Sequence, residues 1–366
     1  MRTRSLLALA AVSTLVAGSA LTGPASVAKK HVPGHTTATA TVFKVNPVQS
    51  SGDQTLTDQK DSASAVLPTD YAGVTLTRLD GSGNLSGDWV TIESSTGPLA
   101  FSSTGAFNYN RSQGQFEQVM AYYWITRAQD YVQSLGFGST LPGVMDEQIA
   151  VKINQYGGDN SYQTTKPFRL RFGKGGVDDA EDAEVIVHEY GHAIHADQVP
   201  GYGTSLDAGA IGEGFGDYLA VTVGLEAAAE NGWPVRTETS GELERGWEAA
   251  ACVADWDATE YSQSPIAKCL RRLDQAFTLD DRQHQVHFDG MIWSAALWDI
   301  RADYVEQGLG TERWDRTLID AQFDFAPDTS FQDAAKATYD RALAEDGPAA
   351  AQAVRDRFAE RQIFFS

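Results

Sequence analysis

Two histidines four residues apart, with a glutamate beside the first, are the residues whose types and spacing best fit metal chemistry. They are His188, Glu189 and His192. On an α-helix, positions i and i+4 share a face, so both imidazoles can bind one zinc ion from adjacent turns. Glu189 is offset by one residue, which leaves its carboxylate free to act on a metal-activated water. The pattern predicts a catalytic zinc with Glu189 as general base.

The neighbours of these residues argue against a chance match on a surface helix. Apolar residues from Val185 to Val187 precede the first histidine, and Ala193 and Ile194 follow the second. They predict a mostly buried helix that ends near Val199, because proline and glycine come next. Histidines and a carboxylate are costly to bury unless they are coordinated or hydrogen-bonded, so this context favours a metal site.

A catalytic zinc takes three protein ligands and keeps one position open. In one class of such sites the third ligand is a histidine six residues after the second, but that position holds Gln198. In the other class it is a glutamate on the following helix, and Glu213 fits that place. Asp217, one turn further, is predicted to accept a hydrogen bond from a ligating imidazole and so fix its orientation.

Glycines surround the predicted third ligand at positions 212, 214 and 216. Each costs a helix up to about 1 kcal/mol relative to alanine. A close approach of two helices, which brings the short glutamate within reach of the zinc, would compensate for that cost.

Three motifs in a fixed order carry a family resemblance. They are His188-Glu189-x-x-His192, Gly212-Glu213-Gly214-x-x-Asp217, and the segment from Val286 to Asp299. Together they resemble the glutamate-ligated zinc peptidases of the thermolysin group, and the sequence is similar to fungalysin-type metalloendopeptidases in particular. The resemblance implies a secreted zinc endopeptidase with a two-lobed zincin fold and one catalytic Zn²⁺.

The resemblance also implies roles for residues outside the zinc motif. His287 matches the histidine that stabilises the tetrahedral intermediate, and Tyr202 lies one position from a tyrosine that assists it. Asn160 matches a residue that hydrogen-bonds the substrate backbone, although a turn residue would fit that position as well. Where the family carries an acidic partner for the later histidine, this sequence has Arg282. Arg271 and Arg272 are candidates for a role in substrate specificity.

The first residues predict export. Residues 1–28 combine two arginines, an apolar segment and small residues at their end, which is typical of a secretory signal peptide with two plausible cleavage points. No later apolar run is long enough to cross a bilayer. The net charge of −21 argues against nucleic acid or anionic membrane as a partner. We therefore expect a secreted, extracellular protein, with protein or peptide as substrate, that acts as a monomer.

The remaining chain predicts an α+β architecture. Residues 29–100 read as strands joined by turns, and they are either a pro-segment or the first sheet of the mature enzyme. Residues 101–366 form the zinc peptidase domain, with a helix from Gln115 to Leu135 and strands at 148–154 and 168–172. Helical spacing recurs at 289–304, 333–344 and 352–360. A β-rich lobe should therefore precede the zinc helix and a helical lobe follow it.

Two further features concern stability. Cys252 and Cys269 are predicted to form a disulfide in the oxidising environment that export implies; two zinc-binding thiolates are the alternative, but no second pair lies beside them. The acids between Asp178 and Asp182 would cap the zinc helix, and Ca²⁺ binding by some of them with Glu184 is a second interpretation.

Two other functions are compatible with the same residues. A zinc amidase acting on cell-wall peptide would use identical ligands and differ only in substrate. A non-catalytic, zinc-stabilised binding protein could keep the fold, but it would need neither Glu189 nor His287.

Overall fold

Short strands precede the histidine-bearing segment and long helices follow it in the computed structural model, which describes residues 36–93, 97–235, 249–261 and 268–366. The predicted signal peptide, residues 1–28, lies outside the described residues. All of these described residues belong to one compact unit. The predicted α+β class, β-rich before the histidine helix and helical after it, is confirmed.

The first sheet has the strand order β2-β1-β4. β1 (Thr36–Phe43) pairs antiparallel with β2 (Tyr71–Leu79) and parallel with β4 (Ala106–Phe107). Ala38, Ala40 and Val42 are buried, because alternate residues of a strand point to one face. The sheet thus joins the predicted N-terminal β region to strand residues beyond position 100.

The second sheet has the order β3-β5-β7-β6. β3 (Val90–Ile92), β5 (Ile149–Lys152) and β7 (Phe168–Arg171) run parallel, and β6 (Tyr162–Thr165) pairs antiparallel with β7. The strands predicted at 148–154 and 168–172 are confirmed. β6 is one of the two edge strands of this sheet among the described residues, and it packs against the histidine helix.

Two α-helices precede the histidine helix in the described part of the chain. A single turn, α1 (Pro47–Ser51), follows β1. The longer α2 (Gln115–Ser134) buries an apolar face that includes Phe116, Trp124 and Val132, as the helical spacing predicted. It ends where Gly136 adopts a positive φ of 107°.

The histidine helix is α3 (Ala183–Gln198). Asp182 caps it, since its side chain accepts a hydrogen bond from the backbone N–H of Glu184. The helix ends at Gln198, just before the proline and glycine at 200 and 201, as predicted. α4 (Leu206–Asn231) follows, capped by Ser205, and ends at Gly232 in the left-handed region.

The rest of the described chain is mainly helical. It contains α5 (Val286–Glu306), α6 (Thr311–Ala321), α7 (Phe331–Glu345) and α8 (Pro348–Glu360). The three helices predicted here are confirmed; α6 was not predicted. Packing between α5 and α8 includes Trp293 stacked on Phe358, with ring centroids 4.8 Å apart.

A two-stranded ribbon lies between α4 and α5. β8 (Cys252–Val253) pairs antiparallel with β9 (Arg271–Arg272), and Cys252 and Cys269 are joined by the predicted disulfide. No helix among the described residues is long and apolar enough to span a membrane.

Candidate metal centre

α3 and α4 bring together the three predicted zinc ligands. His188 Nε2 lies 3.3 Å from Glu213 Oε2, and His192 Nε2 lies 3.6 Å from Glu213 Oε1. One ligand atom from each of the three residues lies within 4.8 Å of the other two. Side chains four residues apart on α3 and one carboxylate from α4 therefore point to a common centre.

These separations fit a tetrahedral zinc ion. Ligand atoms about 2.0–2.2 Å from a tetrahedral ion lie about 3.3–3.6 Å from one another. The donor set of two imidazoles and one carboxylate is one that catalytic zinc uses, and it leaves a fourth position open. Burial alone would raise the pKa of Glu213, but the imidazoles of His192 and His188 lower it below its usual range. The carboxylate is thus held ionised, the form that binds metal.

Asp217 orients the ring of His188 by a hydrogen bond to Nδ1, the ring nitrogen that faces away from the centre. Its Oδ1 lies 2.8 Å from His188 Nδ1, so Nδ1 carries the proton and Nε2 is free to face the centre. Arg271 forms a bidentate pair, or fork, with the same carboxylate: Nε donates to Oδ2 at 2.6 Å and Nη2 donates to Oδ1 at 2.7 Å. Burial opposes ionisation of Asp217, but Arg271 and His188 together outweigh it and lower the pKa of Asp217. Sequence reasoning missed this pairing, since Arg271 was a candidate only for specificity.

Glycine makes the packing behind His188 possible. A Cβ at Gly216 would lie 2.8 Å from His188 Nδ1, and a Cβ at Gly191 would lie 2.9 Å from the Cα of Gly216. Real Cβ atoms do not come so close to other atoms, so α3 and α4 can pack this closely only where both side chains are absent. This contact supports the explanation of the α4 glycines by close helix approach.

Glu189 lies beside the ligands, in the cleft. It lines the same cavities as His188 and His287, and its Oε2 is buried without a hydrogen-bond partner in the described structure. Burial raises the pKa of Glu189 to about 7, although the neighbouring His188 opposes the shift. A carboxylate with this pKa can both take up and release a proton near neutral pH.

His287 faces the metal ligands from the start of α5, with Nε2 3.5 Å from Glu213 Oε2. Gln285 sets its tautomer. The Oε1 atom of Gln285 accepts from Phe288 N at 2.6 Å, which leaves Nε2 of the same amide to face His287 Nδ1 at 2.7 Å. Nδ1 therefore accepts, and Nε2 carries the proton and can donate into the cleft.

Arg282, which stands where the family carries an acid, has a different role. It forms ion pairs with Asp207 on α4 and Asp289 on α5. Gln285 supplies the hydrogen bond to the His287 ring instead. A glutamine at the N-cap of a helix gives no chemical signal in the sequence, which is why this contact was missed.

Of the other predicted site residues, Asn160 lines the cleft and Tyr202 does not. Asn160 lines both cavities of the cleft, just before edge strand β6. Tyr202 is not among the residues lining either cavity: its hydroxyl is buried without a partner, and its ring lies 4.4 Å from that of His195. His195 is itself buried between Tyr202 and Phe215. His195 therefore lines neither cavity of the cleft.

Comparison with known families places these residues in context. The family model described as fungalysin metallopeptidase (M36) matches residues 80–325, about two thirds of the chain. The matched span contains the converging ligands, Glu189, Asp217, Arg271 and His287.

Individual relatives are distant. Extracellular metalloproteinase 9 of Coccidioides posadasii (strain C735) is 22% identical over 138 residues, and extracellular metalloproteinase mep of Aspergillus niger (strain ATCC MYA-4892 / CBS 513.88 / FGSC A1513) is 22% identical over 135 residues. Each match covers 36% of this chain and 19% of the relative, so the chain matches about a fifth of the length of these curated relatives.

A solved structure shares the fold. The precursor of protealysin, a metalloproteinase from Serratia proteamaculans, superposes with a TM-score of 0.51 at 14% identity. The superposition covers 75% of this chain and 87% of that chain.

Proposed function

This chain belongs to the fungalysin metallopeptidase family, and on that basis we propose that it is a secreted zinc endopeptidase that hydrolyses protein or peptide substrates. One observation carries the proposal. The carboxylate of Glu189, with a buried oxygen that has no partner, lies in a cleft beside three side chains whose ligand atoms converge within 4.8 Å. A purely structural metal site would not need that carboxylate.

His188, His192 and Glu213 would hold the zinc ion, which supplies a Lewis acid for the scissile carbonyl and for the attacking water. Glu189 takes the proton of that water and passes it to the leaving amine nitrogen. His287, whose Nε2 carries the proton, donates a hydrogen bond to the carbonyl oxygen as negative charge develops on it.

Substrate binding uses the edge of the second sheet. β6 is an edge strand, and an extended peptide can add to such an edge through main-chain hydrogen bonds. Asn160 lies next to this strand and lines the cleft, so its amide is placed to hydrogen-bond the substrate backbone. Tyr202 stays a weaker candidate for the oxyanion, because its hydroxyl is buried away from both cavities.

The N-terminal β region belongs to the enzyme body in this proposal. β1 pairs with β4, beyond position 100, and the buried side chain of Asn46 donates to Asp182 at 3.0 Å and Asp255 at 2.9 Å. Removal of residues 29–100 would break these contacts. N-terminal sequencing of the secreted protein should therefore find that the mature chain begins before Thr36; a start near residue 100 would contradict this assignment.

Export follows from the predicted signal peptide at residues 1–28, and it agrees with the extracellular relatives. Expression of the full chain should deliver the protein to the medium without that segment.

Replacement of Glu189 by glutamine tests the catalytic assignment. The variant should bind one zinc ion per chain and fail to cleave a quenched peptide library that the wild type cleaves. A chelator should abolish wild-type cleavage, and zinc should restore it. Glu117→Gln is the matched control: burial raises the pKa of Glu117 well above its usual value, so glutamine resembles its protonated form. Substantial cleavage by Glu189→Gln would exclude Glu189 as the base.

A further inference from the structure

A second group of acids lies in the cleft, apart from the metal ligands. Carboxylate oxygens of Asp159, Asp179 and Asp257 lie within 4.8 Å of one another. All three line a cavity of about 320 Å³ that also reaches His188 and Glu189. We call this cavity, lined by Asp159, Asp179 and Asp257, the acidic cavity.

The acidic cavity adjoins the metal centre: His188 lines it, whereas all three metal ligands line a neighbouring cavity. A second cavity, lined by Tyr162 and Gln163 of β6, shares His188, Glu189 and His287 with it. A peptide whose scissile carbonyl lies at the shared residues would therefore place side chains from opposite sides of that bond in the two cavities.

No cation among the described residues forms an ion pair with any of the three acids. Arg271 lines the same cavity, but its guanidinium is already bound in a fork by Asp217. Asp179 and Asp257 are 3% and 4% exposed. In each of them the Oδ1 atom is buried without a hydrogen-bond partner. The other oxygen of Asp179 accepts from the Ser161 hydroxyl.

Such an arrangement is unfavourable without a ligand. Buried carboxylates without a partner cost free energy or take up a proton. Burial accordingly raises the pKa of Asp159 to about 6 and that of Asp179 to about 7. A cation placed among the three would remove this cost.

The remaining wall of the cavity suits the stem of a long side chain. Val185, Val253 and Ala254 line it together with the acids. Arginine and lysine bury their methylene groups along apolar surface and keep the charged end in polar surroundings. A calcium ion takes six to eight oxygen ligands, whereas three carboxylates converge here beside an apolar wall.

We propose that the acidic cavity selects substrates with arginine or lysine at a position flanking the scissile bond, with Asp179 and Asp257 as the specificity-determining residues. The inference rests on the proposed peptidase function and adds a substrate class to it. A carboxylate at the bottom of a pocket selects basic side chains in the same way in other peptidases.

Paired peptides test the proposal on the wild-type, zinc-loaded protein. One member carries arginine and the other citrulline, which has nearly the same shape without the charge, at each flanking position in turn. In calcium-free buffer we expect kcat/KM for arginine to exceed that for citrulline by about tenfold or more at one position, a difference of about 1.4 kcal/mol. Equal values at both positions would overturn the proposal.

Variants identify the residues responsible. Asp179→Asn and Asp257→Asn should each bring the arginine-to-citrulline ratio towards one. Asp178→Asn is the matched control, since this buried neighbour does not line the cavity and should leave the ratio unchanged. If Asp178→Asn lowers the ratio as much as the other two, the assignment to these residues is wrong.

Binding separates this inference from the proposed activity. Zinc-loaded Glu189→Gln protein should bind the arginine peptide more tightly than the citrulline peptide in a fluorescence anisotropy titration. That result without cleavage by the wild type would support the acidic cavity and contradict the peptidase function. Equal binding, together with calcium binding that Asp179→Asn removes, would overturn the proposal in favour of a calcium site.

Discussion

Replacement of Asp217 by asparagine tests how the metal centre is held. Asp217 is fully buried and accepts from two sides: from His188 Nδ1 at 2.8 Å and from the Arg271 fork at 2.6 and 2.7 Å. An asparagine side chain offers one acceptor oxygen and one donor amide. One of the two donors would therefore face an N–H group instead of a carboxylate.

The consequences differ for metal and for stability. Loss of a partner that orients a metal-binding histidine weakens metal affinity by about 10–100-fold, or about 1.4–2.8 kcal/mol. Arg271, which is buried, would lose its counter-charge, and such a loss costs about 3–5 kcal/mol of folding free energy. Zinc affinity and stability should thus fall together in Asp217→Asn.

Two measurements separate the effects. Competition with a zinc chelator gives the affinity, and urea unfolding of the metal-free protein gives the stability. In the double variant Asp217→Asn/Arg271→Met the unpaired guanidinium is removed, so stability should partly recover while zinc affinity stays low.

Asp315→Asn provides the control, because Asp315 is equally buried but accepts from the hydroxyls of Tyr131 and Tyr218, away from the metal centre. It should leave zinc affinity unchanged. A decrease of less than threefold in the zinc affinity of Asp217→Asn would refute the orienting role of Asp217.

Three further changes have distinct expected outcomes. Gly216→Ala should weaken zinc binding in a chelator competition, because its Cβ would lie 2.8 Å from His188 Nδ1. Gly224→Ala on the same helix meets nothing closer than 3.7 Å, so urea unfolding should show a stabilisation of up to about 1 kcal/mol. His287→Ala should lower kcat by about 10²–10³ at full zinc occupancy, since it removes one oxyanion donor; a change below fivefold would argue against that role. Burial lowers the pKa of His195 to about 3, so the unfolded chain takes up a proton here at a higher pH than the folded chain. As the pH is lowered from 6.5 to about 3, His195 should therefore reduce the unfolding free energy by up to about 1.4 kcal/mol per pH unit. Urea unfolding of metal-free His195→Phe at pH 7 and pH 4 should show a smaller decrease in the unfolding free energy than urea unfolding of the wild type.

Local patterns in the sequence account for the elements and for the ligand set. Helical spacing predicted α2 and α3, and the i, i+4 relation of His188 and His192 on α3 places both on one face. α6 was missed although Trp314, Leu318 and Ile319 on it are buried and recur at helical spacing; most of its other residues are polar, so the segment resembles an exposed loop in composition.

Contacts made by residues far apart in the chain could not be predicted in this way. Arg271 reaches Asp217 from β9, and the three acids of the acidic cavity come from separate segments around positions 159, 179 and 257. Neither grouping has a fixed spacing in the sequence. Both depend on how the ribbon of β8 and β9 and the loop before β6 pack around α3, which no local propensity determines.

The position of Glu213 shows why three poor helix formers are tolerated on α4. A Cβ at Gly212 would lie 3.3 Å from the Tyr202 ring, one at Gly214 would lie 2.4 Å from the Gly290 carbonyl, and one at Gly216 would lie 2.8 Å from His188. Each glycine thus faces a different neighbour. On the far side, a Cβ at Gly290 would lie 2.9 Å from the Glu213 Cβ, so α5 also approaches closely. Glu213 is therefore fixed by backbone packing against α3 and α5, and a short carboxylate reaches the two imidazoles without the freedom of a longer side chain.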